Sequence, residues 1–193
     1  MSDTGLGTTG RTHVEHCMGT VFSVAVRDPG AWDNARREVV AWLHHVDAVF
    51  STYREHSDIS RIRRGELTIA GADPLVREVL SWYDVLTTET GGYFTADLPG
   101  GLDPTGLVKG WAIERASDLL RDCGSHNHAV NGGGDMQIAG DAAPGRPWRV
   151  GVSDPQHNNQ ILTVVTGRDF AVATSGNGER GEHIVDPIAH MPA

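Results

Sequence analysis

The chain has 193 residues, of which 39% are hydrophobic and 21% charged, and its formal net charge is −9. These values are typical of a folded acidic protein with one domain or two small lobes. The negative charge excludes an extended nucleic-acid surface, which requires clustered Lys and Arg. The sequence has no apolar run of about 18 residues, so we expect neither a membrane-spanning helix nor stable membrane insertion.

The first residues, MSDTGLGTTGRTH, are polar and lack the basic and apolar regions of a signal peptide. We therefore predict a flexible tail over residues 1–12 and a single domain over residues 13–193. The two cysteines, Cys17 and Cys123, are too few for a disulfide framework and suit a reducing compartment. Both observations favour a cytoplasmic location.

The first half of the chain alternates between strand and helix patterns. The alternating segment TVFSVAVR, residues 20–27, predicts a strand. Apolar residues spaced by three or four positions from Asp33 to Phe50 predict an amphipathic helix. A polar connector over residues 51–65 includes one helical turn, and ELTIA at residues 66–70 is predicted to be a short strand.

Two further helices precede a series of short strands. Asp73 and Pro74 form an N-cap and first-turn pair for a helix that ends before the glycines at 91 and 92. The next helix begins near Thr105 and ends at Gly124. Five β-type segments then follow: HAVN, MQIAG, WRVGVS, ILTVVTG and AVATS. This order predicts an α+β fold with a largely antiparallel or mixed sheet flanked by helices.

The stretch NGGGDMQIAG, residues 131–140, places three consecutive glycines before Asp135. Glycine-rich loops bind phosphate when several backbone N–H groups point at one anion. This run lacks the Lys-Ser or Lys-Thr of a P-loop and the helix that follows a dinucleotide fingerprint. Taken by itself, it is predicted to be a tight turn with two or three residues at positive φ.

Three other polar groups allow two interpretations each. Lys109, in the first turn of its helix, is either a phosphate contact or a solvated surface side chain. Ser175 and Gly176 in ATSGNGERG are either an anion contact or an ordinary hydroxyl-stabilised turn. His183 in HIVDP is either a base or a satisfied core residue. A zinc site at C-x-x-H-x-H, residues 123–128, is disfavoured because structural zinc normally takes four ligands.

Five motifs occur in a fixed order: LDPTGLVKGWAIE, NGGGD, WRVGVSDP, ATSG and HIVDP. Together with MGTVFSV at residues 18–24 and STYREHSDISRI at residues 51–62, they resemble the ApbE family, the FAD:protein FMN transferases. The resemblance extends from about residue 16 to residue 187. The length and the lack of a signal peptide are similar to the short intracellular-type members.

The resemblance implies the ApbE flavin transferase fold and its reaction. FMN would pass from FAD to a Ser or Thr hydroxyl of an acceptor flavoprotein, with release of AMP and a requirement for Mg²⁺. The acceptor site would resemble D-G-x-[ST]-G-A-[ST]. No oligomeric state is predicted.

The resemblance also implies a set of site residues. His183 would be the catalytic base, and the backbone carbonyl of Ala112 would be a metal ligand. The glycine run would pack beside the helix that carries Lys109, with Asp135 fixing the turn. The residues implied to bind the cofactor are Met18, Tyr53, Tyr93, Phe94, Thr95, Lys109, Arg115, Gly132, Gly133, Gly134, Asp135, Ser175, Gly176 and Val185.

The sequence departs from the family pattern in two places. Thr95 in GGYFTAD stands where the family usually has Asp. After HIVDP the family continues to an acidic helix of the type A-D-A-x-x-T that supplies the other Mg²⁺ ligands, whereas this chain ends at Ala193. We therefore expect the C-terminal metal-binding segment to be missing. The alternative function is an FAD-binding or FAD-hydrolysing module without transferase activity.

Overall fold

A computed structural model describes residues 10–30, 32–157, 160–176, 184–189 and 191–192. The helices are α1 Trp32–Phe50, α2 Asp58–Arg63, α3 Pro74–Glu89 and α4 Thr105–Asp122. The longer strands are β1 Arg11–Cys17, β2 Thr20–Val26, β5 His128–Gly132, β6 Asp135–Ala139, β7 Trp148–Ser153, β8 Ile161–Gly167 and β9 Phe170–Val172. Two-residue strands are β3 Asp97–Leu98, β4 Gly101–Leu102, β10 Val185–Asp186 and β11 Met191–Pro192.

The chain divides into two compact units, and the single domain over residues 13–193 stays a prediction. The first unit contains the described residues up to Ala41 together with Ile113–Ala173. The second contains Trp42–Ala112 and the described residues from Thr174 onward. The residues of α1 and α4 are therefore shared between the units.

The first unit is built on a five-stranded antiparallel sheet in the order β1-β2-β5-β6-β9. The predicted alternation of β2 is confirmed, because Phe22, Val24 and Val26 are all buried. Strands β7 and β8 form a separate antiparallel pair. Further buried apolar residues of this unit include Val39, Ile113, Ala116, Leu120, Ala129, Val130, Ile138 and Ala139.

The second unit is mainly helical. The predicted start of α3 is confirmed: the Asp73 side chain accepts the Leu75 N–H at 2.9 Å, and Pro74 occupies the first turn. The Asp73 N–H in turn donates to the Asp58 carboxylate at 2.7 Å, which links α3 to α2. Buried apolar residues of this unit include Leu43, Val46, Phe50, Ile59, Val76, Val79, Tyr83, Val108 and Trp111.

Two predicted elements differ from the structure. Residues 66–70 are not a strand; a 3₁₀ turn, Ile69–Gly71, forms there because the Thr68 hydroxyl accepts the Gly71 N–H at 3.2 Å. Arg11 and Thr12, which the sequence prediction placed in a tail over residues 1–12, pair with β2. Among the described residues, no helix is long and apolar enough to cross a membrane.

Candidate functional site

The glycine run forms a two-residue hairpin turn between β5 and β6. Gly132 pairs with Asp135, and the two glycines between them have φ values of 56° and 93°. Positive φ at both central residues is the geometry of a type I′ turn, which twists in the same sense as its strands. The predicted tight turn is thus confirmed, and Gly133 and Gly134 supply the backbone freedom that it needs.

A second turn of the same kind joins β1 to β2. Cys17 pairs with Thr20, and Met18 and Gly19 between them have φ values of 50° and 66°. Among the described residues, Met18 is the one non-glycine residue with positive φ. This conformation costs a non-glycine residue about 1–3 kcal/mol. No pattern in the sequence predicts this strain, and the strained residue is a predicted flavin contact.

The two turns lie side by side at one end of the sheet. Phe22 is opposite Gly132 in the β2–β5 pairing, and the Gly133 N–H donates to the Val21 carbonyl at 3.3 Å. A Cβ on Gly132 would collide with the Phe22 ring, and one on Gly133 would lie 2.7 Å from the Thr20 hydroxyl. The glycines therefore permit close approach to β2, and they bring Met18 near the segment from Gly132 to Asp135.

In the second unit, a hydrogen-bonded loop presents Tyr53, whose side chain is 95% exposed. The Ser51 hydroxyl accepts the Tyr53 and Arg54 N–H groups at 3.3 Å and 3.2 Å. The Ser57 hydroxyl donates to the Ser51 carbonyl, and Arg54 pairs with the buried Asp47 at 2.5 Å. These bonds hold an aromatic ring in solvent, where a planar ligand can stack on it.

The predicted contact segment Tyr93–Thr95 is anchored to the end of α3 through Phe94. The Phe94 N–H donates to the Thr90 hydroxyl, and the Thr87 hydroxyl donates to the Phe94 carbonyl, both at 2.9 Å. The adjoining Tyr93 is 63% exposed. The Thr95 hydroxyl accepts the Asp97 N–H at 3.1 Å, so the threonine at the position where the resemblance implies Asp stabilises a local turn.

Lys109 is half-buried on α4 and is the fifth residue of that helix, one position beyond the first turn in which the sequence placed it. The helix N-terminus before it is already capped by protein groups. The Thr105 N–H donates to the Asp103 carboxylate at 3.0 Å, and the Leu107 N–H donates to the Tyr83 hydroxyl at 3.1 Å. A phosphate near this end would therefore rely on the Lys109 charge more than on helix N–H groups.

The predicted metal ligand, the Ala112 carbonyl, has a partner that sequence analysis did not identify. The Trp42 indole N–H donates to this oxygen at 3.0 Å, and the Trp42 ring packs edge-on against Trp111 with centroids 5.2 Å apart. A helix carbonyl already accepts the N–H four residues further on. Both acceptor positions of the oxygen are thus used.

The remaining predicted site residues lie on separate elements. Arg115 is exposed on α4, Ser175 and Gly176 are exposed after β9, and Val185 at the start of β10 is 37% exposed. His183 lies outside the described residues. The structure therefore groups Met18 with the glycine turn in one unit, and Tyr93–Thr95 with the first turn of α4 in the other.

A fully buried histidine in the first unit, His128, has a serine hydroxyl partner at each ring nitrogen. The His128 ring nitrogens lie 2.7 Å from the Ser117 hydroxyl and 3.2 Å from the Ser125 hydroxyl, and Ser125 donates to Asp28 at 3.1 Å. Burial lowers the pKa of His128 to about 4, and the nearby Arg121 charge acts in the same direction. Of the described residues, no three His, Cys, Asp or Glu side chains cluster to hold a metal ion.

Comparison with solved structures identifies the fold. The ApbE protein of Thermotoga maritima has a TM-score of 0.84, and the flavin transferase ApbE of Vibrio cholerae has one of 0.79. Each is 20% identical, and the alignments cover 95% of this chain and 78% of the solved chains. The protein therefore has the fold of the ApbE flavin transferases, which confirms the predicted α+β class.

Sequence comparison gives the family. The ApbE family model matches residues 18–100 and 95–193, and the chain belongs to this family. A Vibrio cholerae relative named FAD:protein FMN transferase is 26% identical over 91% of this chain and 71% of its own length. A Rhodobacter capsulatus relative of the same name is 28% identical over 88% of this chain, which spans 31% of that relative.

Proposed function

We propose that this chain is an FAD:protein FMN transferase. It would transfer the FMN part of FAD to a Ser or Thr hydroxyl of an acceptor flavoprotein whose site resembles D-G-x-[ST]-G-A-[ST]. Support comes from family membership together with the relatives that bear this name. A cytoplasmic location stays a prediction from the cysteine content and the polar start.

One structural observation carries the proposal: the predicted flavin segment Tyr93–Thr95 and the helix turn before Lys109 are built against each other. A Cβ added to Gly106, in the first turn of α4, would lie 3.6 Å from the Phe94 ring. Phe94 is thus in contact range of the helix that carries the proposed phosphate ligand. An aromatic residue packed against the helix turn that precedes a lysine suits a molecule that combines a planar ring with a pyrophosphate.

The reaction breaks and forms one phosphorus–oxygen bond. The acceptor hydroxyl oxygen attacks the phosphorus on the riboflavin side of FAD, the bridging P–O bond breaks, and AMP leaves with the bridging oxygen. The hydroxyl proton passes to a base, for which we propose His183 on the sequence motif alone. Lys109 would neutralise pyrophosphate charge, and positioning of the two reactants supplies most of the catalysis.

Magnesium was predicted from the resemblance, and the described residues do not fit it. The oxygen of Ala112 faces the Trp42 N–H, whose hydrogen carries positive partial charge and would repel a cation. Among the described residues no cluster of three metal-ligating side chains is present, whereas Mg²⁺ prefers several oxygen ligands. We therefore assign no step of the reaction to it.

Chromatography of the flavin and adenine products tests the proposal against its alternative. The chain is incubated with FAD and Mg²⁺, with and without a D-G-x-T-G-A-T peptide. A transferase releases AMP only with the peptide and leaves no matching free FMN. Equal AMP and free FMN in both reactions would indicate hydrolysis, and intact FAD in both would indicate binding alone; either outcome would overturn the proposal.

A further inference from the structure

Tyr83 is a buried residue of α3 that the reaction described above does not use. It is 4% exposed and shares the inward face of α3 with Val76 and Val79. A buried tyrosine needs a partner for its hydroxyl. Here the hydroxyl oxygen accepts the Leu107 N–H of α4 at 3.1 Å, an N–H that also approaches the Pro104 carbonyl at 3.2 Å.

The ring of the same tyrosine supports the predicted flavin segment. Tyr83 and Phe94 are stacked with centroids 5.2 Å apart and ring planes 10° from parallel. Because the Phe94 N–H is bonded to Thr90, the C-cap residue of α3, and its carbonyl to Thr87 of α3, the ring contact leaves this segment little freedom. Tyr83 therefore touches Phe94 with its ring and α4 with its hydroxyl.

Gly106 is the complementary feature on α4. A Cβ at this position would lie 3.3 Å from the Tyr83 hydroxyl oxygen and 3.6 Å from the Phe94 ring. The first contact is tighter than most Cβ contacts, so a side chain at residue 106 would require the helix turn or Tyr83 to shift by a few tenths of an ångström. A glycine here lets the first turn of α4 approach the Tyr83 hydroxyl and the Phe94 ring closely.

We propose that Tyr83 is a positioning residue of the nucleotide site, which couples the segment Tyr93–Thr95 to the helix that carries Lys109. This inference rests on the proposed function. Its consequence is that flavin contacts and the phosphate contact are held at one fixed separation. Loss of the hydroxyl should then weaken binding of FAD, which uses both contacts, more than binding of riboflavin, which uses only one.

A double-mutant cycle separates positioning from simple stability. Tyr83→Phe keeps the stacked ring and removes the bond to α4, and we expect FAD affinity to fall about three- to tenfold while riboflavin affinity stays within about twofold. Lys109→Met should reduce FAD affinity by a smaller factor in the Tyr83→Phe background than in the wild type, because a lysine that is no longer held in position contributes less to FAD binding. Trp82→Phe is the matched control, since Trp82 is the neighbouring aromatic residue on α3 and is 52% exposed.

Gly106→Ala provides an independent variant that leaves Tyr83 intact and displaces the helix turn. We expect it to reproduce the selective loss of FAD affinity. Strictly additive effects of Tyr83→Phe and Lys109→Met, with only a lower melting temperature, would overturn the inference and leave the proposed function standing. Wild-type protein that binds FAD no better than riboflavin would contradict the proposed nucleotide site itself.

Discussion

Protonation of His128 should control how acid destabilises the first unit. The imidazole is fully buried between Ser117 and Ser125 and has a pKa of about 4, against an ordinary value near 6.5. In the unfolded chain the ring takes up a proton near pH 6.5, whereas the folded protein resists protonation down to about pH 4. The stability contributed by neutral His128 is therefore fully present above about pH 6.5 and is lost as the pH falls from there towards about 4.

The magnitude follows from the difference between the two pKa values. A difference of about 2.5 units corresponds to about 3 kcal/mol once both states are protonated, and to about 2 kcal/mol at pH 5. Ser125 and the Asp28 charge oppose the downward pKa shift, while Arg121 and His126 support it. Burial outweighs them all, so the direction does not depend on any single neighbour.

Urea unfolding at pH 7 and pH 5 measures the effect. His128→Gln keeps a polar group beside the serines but cannot titrate, so its stability should change between the two pH values by about 2 kcal/mol less than that of wild type. His16→Gln, at an exposed position on β1, is the matched control and should behave like wild type. An unchanged pH dependence in His128→Gln would refute the assignment.

Three further predictions concern the site. Gly133→Val should destabilise the protein by about 1–3 kcal/mol in chemical denaturation, because it adds a side chain at φ 56° against Thr20. Gly145→Val is the control: this residue also has positive φ but has open space around it, so its loss of stability reports backbone strain without a steric clash. Lys109→Ala should weaken FAD binding by about tenfold and spare riboflavin binding, measured by tryptophan emission; equal losses for both ligands would remove Lys109 from the phosphate. His183→Ala should abolish transfer to the peptide while FAD stays bound; retained transfer would require another base.

The sequence predicts most of the fold because its helices have clear apolar periods and end signals. The start of α3 shows this, since Asp73 and Pro74 perform the capping roles that their order predicts. The first strand is not predicted, because β1 is an edge strand whose residues are polar or exposed along most of its length and so show no apolar alternation. ELTIA has β-type composition, which predicts a strand. The hydrogen bond between the Thr68 hydroxyl and the Gly71 N–H stabilises a 3₁₀ turn there instead.

The site is less predictable because its support comes from residues that carry no motif. The glycine run is readable as a turn, yet its closeness to Met18 depends on the register of β2 with β5, which only the folded sheet defines. Tyr83 and Trp42 follow ordinary helical spacing in the sequence. Their hydrogen bonds to Leu107 and Ala112 join residues 24 and 70 positions apart, beyond the reach of local patterns.

The mass of an acceptor peptide after reaction tests the transferase assignment most directly. A D-G-x-T-G-A-T peptide is incubated with the chain, FAD and Mg²⁺, beside a peptide in which both threonines are alanine. We expect the first peptide to gain one FMN through a phosphoester bond, with AMP released in equal amount, and the alanine peptide to stay unmodified. An unmodified threonine peptide beside free FMN and AMP, or beside intact FAD that stays bound to the protein, would contradict the assignment.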